Sequence, residues 1–137
     1  MRLFRFFCEI TVHITVLGIL STGAPASEQR ATAANAQGDP VRGQRLYQSR
    51  CIACHSLDAN RVGPMHRGVF GRQAGGVDGY AYSRALRKSS VVWNGDTLDL
   101  WLQNPEDFIE GQRMNFRVKK PQDRSDIISY LKQESQG

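Results

Sequence analysis

Cysteine is scarce in this chain of 137 residues, and the scarcity excludes several chemistries. Only Cys8, Cys51 and Cys54 occur. Cys8 falls in the apolar N-terminal stretch, which leaves two thiols and no disulfide framework. A bridge between Cys51 and Cys54 would span two residues and be strained. No second cysteine pair and no H-x3-5-H follow them, and His13 and His66 form no such pair, so a tetrahedral zinc site lacks its other ligands. No strand-rich run precedes Cys51, which removes the βαβ setting of a thioredoxin-like C-x-x-C. Convincing strand alternation and internal repeats are also missing. The apolar run Ile10 to Leu20 is too short to span a bilayer comfortably.

That run has another use. Arg2 and Arg5 precede it, and Ala24-Pro25-Ala26 follows as an A-x-A-like cleavage site. This is the layout of an export signal, interrupted by Glu9 and His13. Residues 1–26 are therefore expected to be a signal peptide, or a membrane anchor if they are not cleaved. Residues 27–37 are Ala-, Gln- and Glu-rich without apolar periodicity and read as a flexible linker. The folded domain is expected over 38–137. The formal charge of +5 falls to about +4 without Arg2, Arg5 and Glu9. A basic exported protein suits acidic protein surfaces or anionic headgroups, and nucleic acid is not an expected partner.

What the chain does have is Cys51-Ile52-Ala53-Cys54-His55, the C-x-x-C-H attachment pattern for c-type haem. The spacing follows from the chemistry. Two thiols add to the two vinyl groups of one porphyrin, and the adjacent His then lies under the iron as a ligand. Haem attachment takes place beyond the inner membrane in bacteria, so the export signal and this pattern support each other.

The remaining pattern is helical. Asp39 is a good N-cap and Pro40 suits the first helical position, with Val41, Leu46 and Tyr47 forming one face up to Cys51. Gly43 weakens that helix and points to close approach by another. His55 to Gly79 reads as a long Gly-rich loop, uncommon unless it wraps something. A short helix is expected over Ser83 to Lys88. Asp96 is expected to cap Thr97 to Gln103, with Asn104-Pro105 ending that helix. A last helix is expected from about Pro121 to Gln133, with Ile127, Ile128, Tyr130 and Leu131 on its face. The expected fold class is all-α around one haem.

The sixth iron position decides the chemistry. After His55 the candidates are Met65, His66 and Met114. Met65 and His66 follow His55 by a loop too short to cross to the opposite face of a porphyrin. Met114 lies far along the chain in a polar loop, Gly111 to Phe116, where a core methionine is not expected. It is the expected ligand.

With these residues in place, the chain from Gly38 onward resembles class I c-type cytochromes of the mitochondrial and bacterial c2 kind. Matching stretches run in order: Gly38 to Gly43, Cys51 to His55, Gly63-Pro64, Gly68 to Arg72, Gly79 to Ser83, Val92-Trp93, Asp96 to Leu98, Asn104-Pro105, Gly111 to Phe116, and Arg124 to Leu131. The resemblance implies a small cytochrome c fold and one haem c held through Cys51 and Cys54. It implies His55 and Met114 as axial ligands, with the Pro64 carbonyl orienting His55. Arg72, Tyr82 and Trp93 would partner a buried haem propionate, Phe116 would cover the haem edge, and Gly43 and Tyr47 would pack on Ile127 and Tyr130. Several positions depart from the pattern. Leu86 replaces an Asn, Trp101 a Tyr that hydrogen-bonds the Met sulfur, Gln112 a Thr, and Met65-His66 an Asn-Leu pair. His66 is expected as a packing or surface residue.

The implied role is a soluble one-electron carrier and not an enzyme. It would shuttle between a quinol-oxidising complex and a terminal oxidase or another periplasmic redox enzyme. It is expected as a monomer making peripheral contact with membrane complexes. Arg50, Arg113, Arg117, Lys119 and Lys120 would ring the haem edge and steer it onto acidic docking surfaces. The alternatives are a dedicated cytochrome subunit of a dehydrogenase, or a peroxidase or gas-binding haem protein using an open sixth position near His66 and Arg67.

Overall fold

A computed structural model describes residues 37–137. The expected signal or anchor over 1–26, and all of the linker except Gln37, lie outside the described residues. Five helices account for the regular structure. They are α1 (Pro40–Arg50), α2 (Arg84–Lys88), α3 (Gly95–Gln103), α4 (Pro105–Phe108) and α5 (Pro121–Gln133). Among the described residues no sheet forms, and Gln73 and Val92 make one isolated antiparallel bridge. No helix among them is long and apolar enough to cross a membrane. The all-α expectation stands.

Local chemistry explains the helix ends. The Asp39 side chain accepts the Val41 N–H at 2.9 Å, and Pro40 opens α1. Ser83 caps α2 by accepting the Leu86 N–H at 3.2 Å. The expected cap of α3 needs correction. Asn94, not Asp96, holds that position: its side chain accepts the Thr97 N–H at 2.9 Å, while the Thr97 hydroxyl accepts the Asn94 N–H at 2.8 Å. That reciprocal pair satisfies two donors, and Asp96 instead places its charge in the first turn, where the helix dipole favours it. The short helix α4 is an addition. Asn104 ends α3, and Pro105 then serves as the first residue of a new turn.

Helices α1 and α5 cross at Gly43. A β-carbon there would lie 2.0 Å from the Asp126 carbonyl oxygen and 2.9 Å from the Tyr130 β-carbon, so only glycine permits this approach. Tyr47 and Tyr130 pack beside it, ring centroids 5.4 Å apart and planes inclined by 55°. Charge is buried at the same crossing. Asp126 is fully buried and accepts from the Asp39 N–H at 2.7 Å, from Gln122 at 3.0 Å and from Arg42. Asp123 pairs with Arg50 at 2.9 Å. Arg124 reaches from α5 to both Asp99 oxygens on α3, at 2.6 and 3.2 Å, and donates to the Val118 and Lys119 carbonyls. This guanidinium is buried with its donors satisfied, and it ties α3, α5 and the chain before α5 into one unit.

Candidate functional site

The pentapeptide Cys51 to His55 leaves α1 as a single tight turn. The Cys51 N–H donates to Tyr47 at 2.8 Å, and the Cys54 and His55 N–H groups both donate to the Cys51 carbonyl, at 3.1 and 2.9 Å. Among the described residues neither thiol forms a disulfide, with Cys51 half-buried and Cys54 exposed. Burial pushes the Cys51 thiol up to about 11.

His55 is oriented from two sides. Its Nδ1 lies 2.8 Å from the Pro64 carbonyl oxygen. A carbonyl only accepts, so Nδ1 carries the proton and Nε2 presents its lone pair. Burial lowers the imidazole pKa, which keeps the ring neutral as a metal ligand must be, although the Pro64 hydrogen bond opposes this. Gly63 makes room for the ring: a β-carbon there would fall 2.1 Å from the imidazole Cε1. His66 stacks on the same ring, with centroids 4.0 Å apart and planes inclined by 21°. It therefore packs beside His55 and does not cross over. Its Nδ1 is buried without a protein partner, and burial holds its pKa well below the usual value.

Arg72, Tyr82 and Trp93 are brought together by the chain. Gly71 donates to the Trp93 carbonyl at 2.7 Å and Trp93 to the Arg72 carbonyl at 2.8 Å, which sets Arg72 and Trp93 side by side. Burial raises the Tyr82 phenol above its ordinary value, and the nearby Arg72 guanidinium opposes that rise. The Arg72 guanidinium also donates to the carbonyls of Gly68, Met65 and Arg67, so it pins the loop after Pro64. Trp101 packs on Trp93 with centroids 5.3 Å apart. Met114 is half-buried against the core, while Phe116 is 40% exposed. Arg50 does not contribute a loose charge, because it is engaged by Asp123 on the α1–α5 side.

These residues fit a covalently held haem. Two unpaired thiols and one imidazole with a free Nε2 lie in one turn. Leu46, Leu57, Tyr82, Trp101, Ile109 and Met114 pack against the core while staying only partly buried. Apolar side chains left part-covered in this way suit contact with an apolar ring system. Sequence reasoning missed two features. One is the His66 stack, which depends on how the loop folds back. The other is Glu106, whose carboxylate binds the Met114 loop and which reads in the sequence as an ordinary surface charge.

Comparison with known proteins agrees. The cytochrome c family model matches residues 40–135. Cytochrome c of Cochliobolus lunatus is 45% identical over 103 residues, covering 72% of this chain and 95% of the relative. Cytochrome c of Arabidopsis thaliana is 43% identical over 103 residues, covering 72% and 92%. Among solved structures, cytochrome cH from Methylobacterium extorquens superposes with a TM-score of 0.67 at 42% identity, covering 70% of this chain and 99% of the other. With a turn that presents two thiols and an imidazole, a fold of helices around a part-covered core, and these relatives, the chain belongs to the cytochrome c family of electron carriers and takes one haem c through Cys51 and Cys54.

Proposed function

We propose that this protein is an exported one-electron shuttle whose haem iron is ligated by His55 and Met114. When bound, the haem supplies a single-electron change at iron. The protein holds both ligands so that neither redox state gains or loses one. The observation that carries this reading is the His55 geometry. Nδ1 is committed to Pro64 at 2.8 Å, which leaves one nitrogen for iron. Arg72, Tyr82 and Trp93 would partner the inner propionate, whose burial needs donors. Phe116, half-exposed beside Met114, would cover the haem edge.

His66 and Arg67 offer no support for peroxide chemistry. His66 stacks on His55, and Arg67 is engaged by Asp58 and by Glu134 at 2.9 Å. The charges near Met114 instead suit docking. Arg113, Arg117, Lys119 and Lys120 are exposed on and after the loop, while exposed Glu106, Asp107 and Glu110 precede it. The docking field is divided along the loop, so a partner surface that is mainly acidic would also carry some basic charge. Electron exchange with such a partner should slow as salt rises. We place this exchange in the periplasm, between a quinol-oxidising complex and an oxidase or other redox enzyme.

The test is the absorption spectrum of the reduced holoprotein with and without carbon monoxide. An unchanged low-spin spectrum supports a closed iron and electron transfer. A clear shift on adding the gas removes the closed-iron reading and favours a gas-binding protein.

A further inference from the structure

Met114 rides on a loop shaped by the side chains of Glu106 and Gln112, which the reading above gives no part in holding the methionine. The chain turns at Gly111, where φ is +80°, a value that favours glycine. Glu106, in the first turn of α4, reaches forward across that turn. One carboxylate oxygen accepts the Gly111 backbone N–H at 2.9 Å. The other accepts the Gln112 side-chain N–H at 3.0 Å. Gln112 in turn accepts the Met114 backbone N–H on its amide oxygen. A carboxylate only accepts, so it fixes which end of the Gln112 amide faces Met114. The same two donors hold the Glu106 carboxyl below its ordinary value of 4.5, which keeps it charged at neutral pH.

The far end of the loop has separate support. Val118 donates to the Leu102 carbonyl at 2.8 Å, and Arg124 donates to the carbonyls of Val118 and Lys119. Arg113, at the near end, reaches the Ala81 carbonyl only at 3.5 Å. Besides these side chains the near end has one long backbone bond, from the Gln112 N–H to the Ile109 carbonyl at 3.3 Å, so its shape rests mainly on Glu106 and Gln112.

We propose that Glu106 and Gln112 are positioning residues, a hydrogen-bond relay that sets how firmly Met114 closes the haem iron. The proposal rests on Met114 being the ligand. Neither residue need touch the iron. Their effect is on the fraction of molecules in which the loop is open.

Hydrogen-bond counting fixes the experiment. In Glu106→Gln one acceptor becomes a donor, so one of the three N–H groups loses its partner whichever way the amides turn. In Gln112→Glu two carboxylates face each other across the turn. In the double variant the roles exchange. The amide at 106 accepts from Gly111 and donates to the carboxylate at 112, whose second oxygen accepts from Met114. All three bonds return.

The readout is imidazole binding to the oxidised holoprotein, because an added ligand enters only when Met114 has left, and its apparent affinity scales with the open fraction. Loss of one such hydrogen bond should raise the affinity roughly threefold to tenfold in each single variant. The double variant should return to the parent value. Asp126→Ala, which weakens the distant α1–α5 crossing, should lower the melting temperature without changing imidazole affinity. Met114→Ala sets the upper limit. Unchanged affinity in both single variants, or no recovery in the double, overturns the relay while Met114→Ala still marks the ligand. If Met114→Ala itself leaves imidazole affinity unchanged, the ligation reading fails and the relay with it.

Discussion

The α1–α5 crossing and the Met114 loop maintain their shapes by different means. At the crossing, two helices meet so closely that Gly43 is the only side chain that fits against Asp126 and Tyr130, and a fully buried carboxylate holds three donors. In the loop, the deciding bonds are made by exposed groups such as Glu106, and the apolar residues Met114 and Phe116 stay half-covered. The crossing is specified by packing and buried charge, which tolerate little change. The loop is specified by directional bonds that water can replace, so it belongs to the low-stability end of the molecule. Such a division suits an electron carrier: a rigid end fixes the fold, and the proposed ligand loop stays able to respond to what it meets.

The largest effect should come from removing the cofactor. Neither region is independent, because one apolar cluster runs from Tyr47 and Ile127 at the crossing to Trp93, Leu98 and Val118 near the loop. Helices of 11 and 13 residues are also marginal on their own. The Cys51→Ala/Cys54→Ala double variant, which cannot attach haem, should lose most of its far-ultraviolet helical signal. Retention of that signal would show that the crossing folds alone, and the two regions would then be separate units.

Gly43→Ala tests the crossing directly. The added methyl group meets a backbone carbonyl, which cannot rotate away, so the helices must separate. The expected loss is about 3 kcal/mol in denaturant unfolding of the holoprotein. Asp126→Ala should cost less, about 2 kcal/mol, because Arg42 is partly exposed and keeps Asp123 as a partner at 3.5 Å. Neither change should alter the haem spectrum. If either does, the crossing and the loop are coupled more tightly than their separate bonding suggests.

Much of the crossing was legible in the sequence because its signals are local. Asp39-Pro40 reads as a helix start, and Gly43 in an otherwise apolar-faced helix reads as a close approach. Cys51 to His55 is legible for the same reason, since thioether attachment needs five consecutive residues. Legibility fails where a residue has two local meanings or a distant partner. Pro105 reads as a stop and is also a start. Asp96 and Asn94 are both good caps, and only the reach of Thr97 decides between them. Arg50 reads as a surface charge near the haem, yet its partner Asp123 lies on another helix. Glu106 looks like any solvated acid until the turn at Gly111 brings two donors onto it.

The smallest effect belongs to a third kind of contact, one that is neither buried nor part of the Met114 loop. Asp58 pairs with Arg67 on the loop after His55, and Arg67 continues to Glu134 just past α5. The Arg67 hydrogen bond holds the Asp58 carboxyl below its ordinary value of 3.8. A depressed carboxyl stabilises the fold above its unfolded value, and that contribution is lost as pH falls through the lower folded value. The melting temperature of Asp58→Asn should therefore lie slightly below that of the parent near neutral pH, and the two should converge as pH drops below about 4. Added salt should narrow the gap as well, since water and ions reach the whole pair. A difference that persisted in acid would mean that Asp58 acts through its shape in the loop and not through its charge, and the surface pair would then join the directional bonds that shape the Met114 loop.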